Sequence, residues 1–205
     1  MVSTLRHAFD QAGSVDSVPL NPRYSYLRVI FDGQPVILAL GYTDPTPDGV
    51  IQVWYGADRQ VLRLQNGRLL GLVGLPLEWR SVSLPTFPAW SELANTNQPL
   101  QWTRIRDVMP GYRMGIRDAL VLRRIDPPAK NELRKLDAAA LTWFEESFDL
   151  AAPETAANEI LPPARYAVDM TDGTGKVVYA EQCLSPNQCL SWQQWSASDQ
   201  AAANE

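Results

Sequence analysis

The stretch Val50–Leu75, VIQVWYGADRQVLRLQNGRLLGLVGL, decides the fold of this chain. Val50–Tyr55 is apolar and β-rich, and Gly56-Ala57-Asp58 breaks it. Gln60–Leu64 then alternates, with Leu62 and Leu64 on one face and Val61 and Arg63 on the other. Asn66-Gly67 closes a tight turn, because a type I′ turn needs positive φ at both central residues and these two types tolerate it at least steric cost. Arg68–Gly74 is the return strand. Three strand-like runs and two turn signals predict a twisted antiparallel meander, and nothing in the run carries chemistry by itself.

The pattern repeats outward in both directions. Tyr24–Tyr42 reads as two strands around Asp32-Gly33, Tyr42–Gly49 (YTDPTPDG) as a loop, and Leu77–Val82 as the tail of the meander. Trp90–Pro99 is polar and loop-like, with a helical turn near Ser91. Leu100–Asp107 and Tyr112–Arg124 are strands interrupted by Met109-Pro110-Gly111, and Pro127-Pro128 ends the second. Lys130–Phe148 has two readings: Leu133, Leu136, Ala140, Phe144 and Phe148 fit helical spacing, whereas Leu141–Phe148 (LTWFEESF) reads equally as a strand. Beyond an acidic connector over 151–163, three more strands follow at Arg165–Met170, Lys176–Gln182 and Leu190–Trp195. At the start, Ser3 or Thr4 caps a short helix through Leu5, Ala8, Phe9 and Ala12, and Ser196–Glu205 reads as a flexible tail. The expectation is a mainly β chain: an antiparallel β-barrel or two packed antiparallel sheets with a short N-terminal helix, a single domain over residues 1–195.

Composition narrows the function classes. A net charge of −5 argues against a nucleic-acid partner, which wants a basic face. The charge is uneven: residues 1–144 carry 16 basic and 13 acidic side chains (+3), and 145–205 carry 2 and 10 (−8). Residues 101–125 hold six arginines against Asp107 and Asp118, which reads either as a cationic stripe or as partners for carboxylates elsewhere. The segment opening at Met1 has no apolar h-region, so the protein is cytoplasmic or its targeting segment has been removed. Cys183 and Cys189 flank a turn-forming LSPNQ between strand-like residues; a disulfide in an oxidising compartment is the favoured reading, and buried free thiols are the alternative.

Catalytic and metal-binding motifs are scarce. The sequence has no G-x-S-x-G, no phosphate-cradling glycine loop, no H-E-x-x-H and no zinc-type cysteine set, and its single histidine, His7, lies near a terminus. Glu145 and Glu146 are adjacent, so on a strand they point to opposite faces and do not converge as a glycosidase pair. No enzyme activity, metal or cofactor is expected. The seven tryptophans are many for this length, and most must be core, with one or two left to line a groove for sugar rings.

Several runs resemble a family. Trp54 and Asp58, then Asn66-Gly67-Arg68 and the closing Gly74-Leu75, are similar to the YjbF/GfcB-type lipoproteins of Gram-negative capsule and exopolysaccharide operons. So are Pro110-Gly111-Tyr112-Arg113 with Gly115, and Arg165–Asp169 before a glycine turn and Val177–Gln182. The likeness covers roughly residues 20–195 and lies in the order and spacing of these runs. It implies a β-barrel-like fold, the strand reading of Leu141–Phe148, and a non-enzymatic outer-membrane lipoprotein facing the periplasm in polysaccharide secretion or assembly. The family's lipid-bearing cysteine has no counterpart before Cys183, so the membrane anchor is taken as trimmed. Expected partners are a polysaccharide or polysaccharide-export proteins, reached through Arg68, Trp102, Tyr112, Arg113 and Arg117. Arg113 and Arg117 share a face if their strand is regular. The structural alternatives are cross-strand pairing for these two and solvation of a hairpin for Arg68. The competing functional readings are a polysaccharide-modifying enzyme whose carboxylates converge only in the fold, and a purely structural periplasmic scaffold.

Overall fold

The structure, a computed structural model, describes residues 19–96, 98–153, 159–197 and 199. The expected N-terminal helix with His7, and most of the expected tail, lie outside these residues.

Among the described residues twelve strands run in chain order. They are β1 (Tyr26–Phe31), β2 (Gln34–Thr46), β3 (Gly49–Tyr55), β4 (Val61–Gln65), β5 (Arg68–Val73) and β6 (Glu78–Ser83). After a short helix, α1 (Trp90–Ala94), come β7 (Leu100–Met109), β8 (Arg113–Ile125), β9 (Thr142–Phe148), β10 (Ala164–Asp169), β11 (Lys176–Ser185) and β12 (Gln188–Trp195). Each strand pairs antiparallel with the next. β12 returns to β1 from Tyr26↔Trp195 to Phe31↔Leu190, which closes the sheet into a barrel and removes its edges. That last pairing decides between the two expected architectures.

The opening meander forms as its residues dictate. Asn66 and Gly67 take φ of 50° and 79°, and β4 places Leu62 and Leu64 inward opposite Trp54 and Gln52 of β3. The same alternation carries Leu27, Val29, Leu120, Leu122, Phe144, Tyr166 and Trp192 into one continuous interior core. Within Leu141–Phe148 the strand runs over Thr142–Phe148, as the family likeness implies, and the helical spacing upstream yields only a 3₁₀ turn at Ala138–Ala140. The segment between β8 and β9 instead folds back over the outside of the barrel. There Leu133 and Ala138 cover Trp143, Ala167 and Tyr179, and Arg134 exchanges two backbone bonds with the Gln193 amide (2.9 and 2.7 Å).

One expected loop is a strand. Tyr42–Thr46 stays in β2 and pairs with β3 as far as Thr46↔Gly49. β1 accompanies β2 only as far as Ala39, so the outer half of β2 has an unpaired side that accommodates the missing N–H of Pro45. The antiparallel order sets two mouths. One gathers the Asn66-Gly67 turn, the turn before Lys176 and the α1 segment; the other gathers Asp32-Gly33 and the β7–β8 tip.

Candidate functional site

Alternation along β7, β8 and β9 brings ionised groups into the barrel. Arg104 and Arg106 of β7, Asp118 of β8 and Glu146 of β9 are all buried. Asp118 is wholly inaccessible and holds both arginines: Arg106 donates Nε at 2.7 Å and Nη2 at 3.2 Å, and Arg104 donates Nε at 3.0 Å. Arg104 Nη1 reaches Glu146 Oε1 at 3.2 Å, and both guanidinium carbons lie within 5 Å of the Trp79 ring centroid, at 4.7 and 4.9 Å. Glu146 Oε2 has no hydrogen-bond partner among the described residues. Burial pushes the Glu146 carboxyl above its ordinary range against the pull of Arg104 and Arg68, and burial likewise raises the Tyr166 phenol.

Arg68 opens β5 at the mouth that α1 covers. It is 2% exposed, and its Cζ lies 3.9 Å from the ring centroids of both Phe87 and Trp90. Trp90 is itself fixed by donating Nε1 to the Asn66 carbonyl at 2.9 Å. Among the described residues Arg68 Nε and Nη2 have no hydrogen-bond partner, and burial lowers the guanidinium's pKa while Tyr166 and Glu146 pull it back up. The residue lines a cavity of about 520 Å³ whose walls include Gln52, Gln194, Lys176 and Trp192. Trp192 Nε1 is also buried, without a hydrogen-bond partner among the described residues. Gln52, Lys176 and Gln194 continue into a neighbouring cavity of about 540 Å³ that extends past Trp54 and Tyr24. The carboxylate on the first cavity's wall, Asp172, is held by the Thr174 hydroxyl and the Thr174 and Gly175 N–H groups, which keep its pKa low. Aromatic faces, amides and a cation surplus together suit an acceptor-rich, partly apolar ligand such as a sugar.

The residues expected from sequence divide between the two mouths. Arg68 belongs to the cavity, so its reading as a solvated hairpin residue is overturned. Trp102 stands behind it: its ring meets Phe87 edge-on at 4.7 Å, and its buried Nε1 lacks a partner. Tyr112, Arg113 and Arg117 lie on the β7–β8 hairpin toward the far mouth, with Tyr112 78% exposed. The condition that put Arg113 and Arg117 on one face fails. The register slips between Arg106 and Val108, where Asp107 accepts from the Gly115 N–H at 2.8 Å; Arg113 pairs with inward Val108 and Arg117 with outward Ile105. The cationic stripe also dissolves, because Arg104 and Arg106 turn inward while Arg123 meets Glu145 on the outside at 2.6 Å. Glu145 and Glu146 do point to opposite faces. Cys183 and Cys189 face each other across β11 and β12 and are disulfide-linked. Phe87, Trp90, Lys176 and Trp192 escape the sequence reading. Only the tryptophan count flags two of them, since no local spacing announces that four distant segments converge.

No curated protein matches the chain. Among solved structures, the hypothetical lipoprotein YmcC from Escherichia coli (K12) is similar over 95% of this chain and 94% of its own, with a TM-score of 0.61 and 20% identity, a likeness of fold. The family model described as group 4 capsule polysaccharide lipoprotein gfcB, YjbF, matches residues 10–190. The chain belongs to that YjbF family of capsule polysaccharide lipoproteins.

Proposed function

We propose that the chain is a non-enzymatic lipoprotein acting on the periplasmic side of the outer membrane, where it handles polysaccharide during capsule or exopolysaccharide secretion or assembly. Membership of a capsule lipoprotein family supplies the context. The observation that carries the reading is the Arg68 cavity, in which Trp90, Trp192 and Phe87 stand beside Gln52, Gln194 and Lys176. That mixture of ring faces and amide donors matches a sugar's apolar faces and hydroxyl rims. The cavity and its neighbour open at one mouth, so a short length of polymer lies across them rather than threading the filled barrel.

A binding role is favoured over hydrolysis by the state of the interior carboxylates. Asp118 and Glu146 are bound to Arg104 deep in the core, and Asp172 is occupied by its own turn. A contact with an export protein is a second reading. It is favoured by the tip of the β7–β8 hairpin, where Tyr112 and Met114, 78% and 56% exposed, flank Arg113.

Tryptophan fluorescence of the purified protein, titrated with capsular polysaccharide fragments, tests the first reading. A saturable change that weakens at least tenfold in Trp90→Ala supports it. No response at millimolar fragment refutes glycan handling, and a pull-down lost on Tyr112→Ala/Met114→Ala then identifies the hairpin as the working surface.

A further inference from the structure

Arg68 is unlike the other interior arginines. Arg106 grips Asp118 with Nε at 2.7 Å and Nη2 at 3.2 Å, the side-on fork of a planar guanidinium on a planar carboxylate. On Arg68 the same two nitrogens are buried and unpartnered. A guanidinium desolvated with two of its nitrogens unsatisfied is unfavourable unless something supplies their acceptors. Within this barrel, Asp118 shows what fits that edge.

The rings select the shape of the acceptor. Two rings cannot share one face of a guanidinium with both centroids 3.9 Å from Cζ, so Phe87 and Trp90 cover both faces. What remains for an acceptor is the guanidinium's in-plane edge. A carboxylate lies flat along it, whereas a phosphate directs oxygens above and below the plane, toward the rings. Lys176 and the unpartnered Trp192 Nε1 add donors on the same cavity wall.

Building on the glycan-binding reading above, we propose that the cavity recognises an acidic sugar, and that Arg68 takes the carboxylate of a uronate residue through its Nε/Nη2 edge. Both nitrogens are shielded from water, so the sugar reaches them as the cavity wall yields.

The test compares a tetrasaccharide of alternating glucuronate and N-acetylglucosamine with its uncharged, carboxyl-reduced counterpart on the intact chain, followed by tryptophan fluorescence. The acidic form is expected to bind at least tenfold tighter, and an equal concentration of inorganic phosphate should leave its midpoint unmoved. Arg68→Met should erase the difference, and Arg68→Lys, which keeps the charge without the fork, should retain a tenth of it or less. Equal affinity for the two tetrasaccharides overturns the carboxylate assignment and leaves glycan binding standing. Binding of neither overturns the glycan reading itself. Displacement by phosphate overturns the planar selection. The comparison of sugars needs no variant, so it stands even if Arg68→Met misfolds.

Discussion

Asp118→Asn is predicted to be the most damaging single substitution in the barrel interior that preserves side-chain size. Asp118 is fully inaccessible and accepts from Arg104 and Arg106 at 2.7 to 3.2 Å. Asparagine removes the negative charge and turns an NH₂ toward guanidinium N–H groups, donor against donor. Glu146, raised in pKa by burial and paired with Arg104 through one oxygen at 3.2 Å, does not replace it. Removing one partner of a buried ion pair costs about 3–5 kcal/mol, because the remaining charge stays desolvated without compensation. With a urea slope of about 3 kcal/mol per molar for a chain of this size, the unfolding midpoint falls by about 1–2 M. The comparison is Arg80→Ala, which removes the half-exposed pair with Glu78 and should cost less than about 1 kcal/mol. Urea unfolding followed by tryptophan fluorescence reads both, since Trp79 lies under the cluster. A loss in Asp118→Asn no larger than that in Arg80→Ala would refute the claim that the cluster is held together by this carboxylate.

Three further outcomes follow from the same geometry. Glu146 has a folded-state pKa raised above its ordinary value, so its contribution is full below about pH 4.3 and is lost as pH rises through the folded value; the urea midpoint of Glu146→Gln minus that of the wild type should therefore rise as pH climbs, and a difference that falls instead contradicts this. Gly67→Ala forces a side chain onto φ of 79° and into Val177, and should lower stability by about 2 kcal/mol in thermal melts, with Gly33→Ala, equally positive in φ but sterically open, as the milder control. Replacing Cys183 and Cys189 by serine opens a loop of sequence separation 6 and should remove about 2 kcal/mol, an effect that reductant reproduces in the wild type and leaves unchanged in the variant.

The fold was legible where local rules act alone. Asn66-Gly67 and Asp32-Gly33 dictate their turns through φ, and alternation in β4 and β7 assigns faces correctly. Closure was not legible, because β1 and β12 are separated by most of the chain and nothing in either names the other. Pro45 misled for a related reason: proline disfavours a strand only where its missing N–H would be needed, and which side of β2 is unpaired is a property of the assembled sheet. The site was half legible. Arg68 was visible beside its turn, but Phe87, Trp90 and Trp192 reach it from elsewhere, and the bulge at Asp107 that parts Arg113 from Arg117 has only Gly115 as its trace.

Arg68 is treated differently from Arg104 and Arg106. A barrel selected for stability alone would treat them alike, since a buried guanidinium without acceptors is a liability that an apolar residue of similar length avoids. Arg104 and Arg106 are given Asp118 and Glu146, and Arg68 is given two aromatic faces and nothing for its edge. The rings stabilise the cation without neutralising it, which is the condition a recognition site needs: a charge held in place, dehydrated in advance and still able to bond. If that is why the residue is arginine, Arg68→Met should melt no lower than the wild type while losing the acidic tetrasaccharide, a separation of stability from binding that a purely structural arginine would not show.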